Sequence, residues 1–123
     1  MPGSLRPKSR EGEIGARWRG LIVANTPLVS IDLVVRNGRG EILLGQRTNR
    51  PAQGMWFIPG GRIRKDESIQ NAFLRLSREE LGAAVPVDEA QILGVYEHFY
   101  PDNFSVDGFS THYVALGYQL TLA

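Results

Sequence analysis

Residues 58–82 read IPGGRIRKDESIQNAFLRLSREELG. No other stretch narrows the fold as far. A Pro-Gly-Gly turn runs into a polar loop, and the loop into a segment whose apolar residues recur at helical spacing. Steps of 100° per residue from Ile69 place Ala72, Phe73, Leu76 and Ala83 within about 60° of it, one stripe of an amphipathic helix. The helix is expected over residues 68–81, with Asp66 or Ser68 as N-cap and Gly82 as C-cap. Glu80 falls near the centre of that stripe. A carboxylate buried alone costs several kcal/mol unless a cation meets it. Glu80 therefore asks for an arginine or a metal ion; otherwise the stripe ends early and leaves it at the rim. Glu79 stands four residues after Arg75, the spacing of an ordinary helix-surface pair. The Gly60-Gly61 turn can expose backbone carbonyls. A carbonyl beside a carboxylate suits a hard divalent ion such as Mg²⁺, completed by waters and phosphate oxygens.

Around this helix the chain alternates strand signals with turns. Residues 28–35 (LVSIDLVV) read as a buried strand, and Asn37-Gly38 as a tight turn into a hairpin arm at 41–45. Further strands are expected at 55–58, 91–99 and 111–122, with turn-rich loops at 47–54 and 100–110. Strands in this order around one good helix indicate an α+β class, an α/β/α sandwich with a mixed sheet. Such a sheet calls for a second helix on its other face, and none follows the last strand, so the C-terminal helix is expected to be missing from this chain.

A length of 123 residues and a hydrophobic share of 42% suit one domain with one core. Residues 1–20 hold an excess of Lys and Arg and read as a flexible basic arm, leaving 21–123 as the domain. The other reading docks the arm on a partner subunit through Trp18 and the strand-like Leu21-Ile22-Val23. A net charge of +1 gives no sign of a nucleic-acid or membrane surface. The absence of cysteine excludes disulfide and thiolate chemistry, and no apolar run approaches the ~20 residues of a membrane span. A cytoplasmic protein is the default expectation.

Gly61, Glu67, Arg75 and Glu79-Glu80-Leu81-Gly82 together resemble the Nudix box, G-x5-E-x7-R-E-U-x-E-E-x-G-U with U aliphatic. Two positions depart from it. The box has Glu where this chain has Leu76, and an aliphatic residue where it has Ser77, so one metal-binding carboxylate is gone. Leucine after the arginine is similar to the GDP-mannose mannosyl hydrolases within that family. TPLVSID at 26–32, LLGQRTNRPAQGMWFIPGGR at 43–62, EHFYPDNFS at 97–105 and THYVALGY at 111–118 resemble them too.

The resemblance implies hydrolysis of GDP-mannose to GDP and mannose, with one Mg²⁺ on the diphosphate and Mn²⁺ as an alternative ion. It assigns the metal to the Gly60 carbonyl and Glu80, with Glu79 helping through water. Arg47 and Arg62 would hold the diphosphate, where a guanidinium fork matches phosphate oxygens. Arg75 would orient Glu67 or Glu80, or touch substrate. Asp32, an acid inside an apolar strand, needs a partner and is expected to hydrogen-bond sugar or base. His98 and Tyr113 flank the 100–110 loop; either could bind substrate, and His98 could bring positive charge to the leaving group. His112 alternates to the face opposite Tyr113 and is left out. Loss of a carboxylate suits attack at the anomeric carbon, where the departing diphosphate needs charge stabilisation more than water needs activation. The family's general base is a His beyond the last strand, without counterpart in these 123 residues, so weak turnover with partial binding is expected. Two other readings stay open: a Nudix pyrophosphatase cleaving a P–O bond of another nucleoside diphosphate derivative, and a non-catalytic nucleotide-sugar binding module. A homodimer is expected.

Overall fold

The computed structural model describes residues 20–46, 48, 53–101 and 108–122. Residues 20–25 are helical (α1). There follow β1 (Leu28–Arg36), β2 (Gly45–Gln46), β3 (Trp56–Phe57), β4 (Gly60–Arg62), α2 (Ile69–Leu81), a 3₁₀ turn (Val87–Glu89), β5 (Gln91–Tyr100) and β6 (Thr111–Thr121). The arm at residues 1–19, Trp18 included, lies outside the described residues.

The main sheet has the order β4-β1-β6-β5. β1 runs parallel to β6, in register from Leu28↔Tyr113 to Arg36↔Thr121, and antiparallel to β4. β5 is antiparallel to β6. The sheet is therefore mixed, in an α+β fold. β1 shows why the sequence folds this way. Its odd residues Ile31, Leu33 and Val35 are buried on one face, while Ser30 and Asp32 point to the other.

α2 covers the odd face. It buries Ala72, Phe73, Leu76 and Ser77, and its core partners are Ile31, Leu33, Val35 and Leu120. The Phe73 ring meets Tyr118 edge-on at 5.2 Å. Burial of a ring such as Phe73 contributes roughly 1.5–3 kcal/mol. The helix begins at Ser68, whose Oγ accepts the Asn71 N–H at 3.0 Å, so Ser68 and not Asp66 is the cap. It ends at Gly82, left-handed at φ 81°, whose N–H reaches the Arg78 carbonyl.

Ser77, which departs from the aliphatic pattern, has a structural use. Its fully buried hydroxyl accepts the Val85 N–H at 2.8 Å and lies 3.1 Å from the Leu74 carbonyl, clipping the post-helix segment to α2. Ser77→Ala leaves that N–H without its partner and should lower stability by about 1–2 kcal/mol, read as a fall in the urea midpoint at constant slope.

Two local expectations are corrected. Leu21-Ile22-Val23 is helical, not strand-like: Thr26 N–H bonds the Ile22 carbonyl at 2.8 Å and only Val23 of the three is buried. β-branched residues favour a strand only where a pleated surface receives them, and none pairs here. The arm at 41–45 does not form a full hairpin with β1. Asn37 Oδ1 takes the N–H groups of Arg39 and Glu41, which widens the turn and leaves a single bridge, Arg36↔Ile42. Gly45 and Gln46 pair with Phe57 and Trp56 in a separate two-stranded sheet.

Candidate functional site

β4 is short and forms an edge of the main sheet. Gly60 pairs with Asp32 and Gly61 with Ile31. A Cβ on Gly60 would lie 2.0 Å from the Ile31 carbonyl oxygen, so the Pro59-Gly60-Gly61 turn approaches β1 more closely than any side chain permits. A Cβ on Gly61 would meet Leu76 Cδ2 at 2.7 Å. Leu76, where the box has Glu, is 3% exposed and packs directly on the glycine turn.

Strand alternation separates two clefts. The first, about 230 Å³, lies on the sheet face opposite α2 and brings together Asp32, Arg62, His98 and Tyr113. His98 Nε2 stands 3.1 Å from Asp32 Oδ2. An ionised carboxylate only accepts, so Nε2 carries the proton of this pair. Asp32 thus has a partner from a strand 66 positions away. Ser30, Phe57 and Tyr100 line the same cleft and were missed from sequence. Period-two counting from Asp32 and His98 finds Ser30 and Tyr100; Phe57 arrives only through the β2–β3 overhang. His112 faces away, as expected, stacked on Phe99 at 4.3 Å and 3.5 Å from Glu97.

The second cleft, about 560 Å³, opens on the α2 side and contains Gly60, Gly61, Glu79 and Glu80. Here the placing of Glu80 is corrected. It is exposed, as are Ile69 and Ala83 at either end of the expected stripe. The buried part of α2 stops at Ser77. Glu80, one turn beyond Leu76, has passed the glycine turn and overhangs the cleft instead of entering the core. Among the described residues no cation pairs with it. Its exposure removes the argument from burial and leaves an argument from position: a free carboxylate in the cleft that Gly60 lines.

Arg75 organises the boundary. Its Nε and Nη2 donate to the two Glu67 oxygens at 2.8 and 2.9 Å, Nη2 also to the Arg62 carbonyl at 2.8 Å, and Nη1 to Glu79 at 3.3 Å. Arg75 and Glu67 side chains are only 13% and 15% exposed. The bonds from Arg75, with a smaller contribution from the Arg64 N–H, hold the Glu67 carboxyl at about 2 against an ordinary 4.5, in opposition to burial. Glu67 in turn raises the Arg75 pKa. Arg75 therefore orients Glu67, Glu79 and the Arg62 backbone, and not Glu80. Arg47 lies outside the described residues.

The loop and helix from Gly61 to Gly82, laid on a mixed sheet with both carboxylates at an open cleft, is the Nudix arrangement. A family profile for the NUDIX domain matches residues 26–122, and the chain belongs to that family. It is 49% identical over 102 residues to the low-salt glycan biosynthesis protein Agl8 of Haloferax volcanii, covering 82% of this chain and 63% of that protein. It is 34% identical over 70 residues to the ADP-ribose pyrophosphatase of Methanocaldococcus jannaschii, covering 57% of this chain and 40% of the relative. The chain thus spans less than two thirds of the length of either relative. Among solved structures, the MutT NUDIX hydrolase of Burkholderia pseudomallei superposes with a TM-score of 0.63 at 30% identity, covering 80% of this chain and 69% of that one. Among the described residues, no helix is long and apolar enough to cross a membrane.

Proposed function

We propose that this chain is the Nudix part of a Mg²⁺-dependent hydrolase of GDP-mannose or a close GDP-sugar, releasing GDP and the free sugar. The observation that carries the reading is Leu76. Where the box has a metal carboxylate, a buried leucine packs on Gly61. Glu80, Glu79 and the Gly60 carbonyl remain in that cleft, a donor set that fits one hard divalent ion whose other ligands are waters and phosphate oxygens. Among the described residues no three His, Cys, Asp or Glu gather into a metal cluster. Mg²⁺, or Mn²⁺, would neutralise charge on the departing diphosphate.

The chain's own residues do the rest. Arg62, with Arg47, grips the diphosphate. Asp32 holds the His98 ring in the same cleft as Arg62, where an imidazolium would add positive charge for the leaving group. Tyr113 lines the nucleotide side. Water attacks the anomeric carbon and gives up a proton to solvent, the bond from that carbon to the β-phosphate oxygen breaks, and GDP departs with the electron pair through an oxocarbenium-like transition state that inverts the centre. The Agl8 name, which refers to glycan biosynthesis, supports a nucleotide-sugar substrate.

A second reading, P–O cleavage of another nucleoside diphosphate derivative, is favoured by the name of the ADP-ribose pyrophosphatase relative. Product analysis separates the two. The proposal expects GDP plus mannose, with ¹⁸O from labelled water in the sugar. GMP plus mannose 1-phosphate, with ¹⁸O in phosphate, would replace it by the second reading. The location of the reaction is expected to be cytoplasmic, and the unit a homodimer.

A further inference from the structure

We infer that Ala115 and Gly117, two small residues on one face of β6, are positioning residues: they form the floor on which the Asp32–His98 pair is laid. This rests on the reading above, in which His98 brings charge to the leaving group, and says what sets that ring in place.

β6 lies between β1 and β5 in the main sheet. Asp32 and His98 therefore bond across an intervening strand, with their backbones two strand spacings apart, on the order of 10 Å. They are also out of step along it. Asp32 stands level with Gly117, and His98 with Tyr113. The 3.1 Å bond from Nε2 to Oδ2 thus runs diagonally, and the β6 residue midway along the diagonal is Ala115. Opposite residues of paired strands share a face, so the pairing of Ala115 with Ser30 and Tyr96 turns its methyl toward this cleft and away from α2. Ala115 is nonetheless fully buried. A longer side chain at that position would stand in the path of the imidazole.

Gly117 serves the same face two residues further on. A Cβ there would lie 2.9 Å from Tyr96 Cε2 and 3.3 Å from Cδ2, and a Cβ on Gly94 would lie 3.2 Å from the Tyr96 hydroxyl. The Tyr96 ring therefore lies down across two glycines, beside the position of Asp32. Tyr96 and His98 are successive residues on this face of β5, so a ring lifted off Gly117 would rise into the space that the pair occupies. Tyr96 is half-exposed and can be lifted without opening the core. Elsewhere on this face β6 carries Thr111, Tyr113 and Gln119, so its small residues are confined to the crossing. Neither Ala115 nor Gly117 has a polar side chain; both act through the side chains they admit.

Nitrogen-15 NMR of the His98 ring in mildly alkaline solution reads the pair, with Asp32→Ala as the reference for a broken one. The chain has two histidines, so the ring signals are separable. Wild-type protein should hold His98 as the Nε2–H tautomer, and Asp32→Ala should show a mixture of tautomers. Ala115→Val should show the mixture too, because its added methyl groups fill the crossing, whereas Ala115→Gly should keep the wild-type tautomer. Gly117→Ala should loosen the pair, and adding Tyr96→Ala to it should restore the pair by removing the displaced ring. Thermal unfolding checks that each variant is folded; if Ala115→Val is not, the Gly117 variants carry the decision. In turnover of GDP-mannose with Mg²⁺, Ala115→Val and Gly117→Ala should each lower kcat by about tenfold and leave KM within about twofold. A wild-type tautomer in both variants would overturn the inference. So would a broken pair with kcat unchanged, or a Tyr96 substitution that fails to rescue Gly117→Ala. Failure of the parent reading looks different: GMP among the products, or no turnover by wild-type protein, with the tautomer pattern as expected. That result would change the reaction and leave the floor standing.

Discussion

Gly60→Ala is expected to abolish the folded state at room temperature or leave it too marginal to bind nucleotide. The added Cβ would lie 2.0 Å from the Ile31 carbonyl oxygen and 3.2 Å from the Asp32 Cα. Neither atom is the end of a flexible side chain. Ile31 is fully buried, and its strand is paired on one side to Gly61 and on the other to Leu116. To relieve the clash, β4 would have to leave β1, breaking the Leu33 N–H bond to the Pro59 carbonyl at 2.8 Å as well. A loss of about 4 kcal/mol or more is a large part of a small domain's stability. Gly61→Ala is the control. Its Cβ would meet only the tip of Leu76, which can turn aside, so about 1–3 kcal/mol is expected. Guanidinium unfolding of both variants checks the ranking; Gly60→Ala as mild as Gly61→Ala would mean that β4 tolerates displacement from β1.

The second large effect belongs to Glu67 and Arg75. The folded carboxyl of Glu67 sits at about 2 against 4.5, chiefly because of the hydrogen bonds from Arg75. A carboxyl lowered on folding contributes stability that is complete above its unfolded value and vanishes as pH falls through the folded one. The window is therefore pH 4.5 down to about 2. At neutral pH the contribution, discounted for solvent screening around the pair, is on the order of 1–3 kcal/mol. Glu67→Gln should lower neutral-pH stability by about that amount and flatten its decline between pH 5 and 2. Urea midpoints across that range decide the matter; a variant with the wild-type acid slope would show that another carboxyl carries it. Arg75→Ala should cost more, about 3–5 kcal/mol, because it strands Glu67 and frees the Arg62 carbonyl and Glu79 together. Nucleotide binding should fall with it, since the backbone of Arg62 loses its tether.

Much of this fold lies open in the primary structure because the signals are local. Ser68 and Gly82 bound α2 through bonds that close within a few residues. Alternation in 28–35 separates Ile31, Leu33 and Val35 from Ser30 and Asp32 without reference to any other strand. The spacing from Gly61 to Gly82 names the family, and the arrangement of Arg75 with Glu79 follows from one helical turn.

What tertiary structure alone decided is long-range. Helical periodicity puts Glu80 on the stripe; it does not say where full burial along the stripe stops, and in α2 it stops at Ser77. The Arg75 bond to the Arg62 carbonyl and the meeting of Asp32 with His98 both require strands to choose neighbours. A residue's own neighbours set its backbone preference, whereas burial and partner depend on segments far away in the chain. That is why the amino-acid sequence determined α2, β1 and the family, while the packed sheet determined which of the candidate residues share a cleft and, among the described residues, which carboxylate lacks a cation.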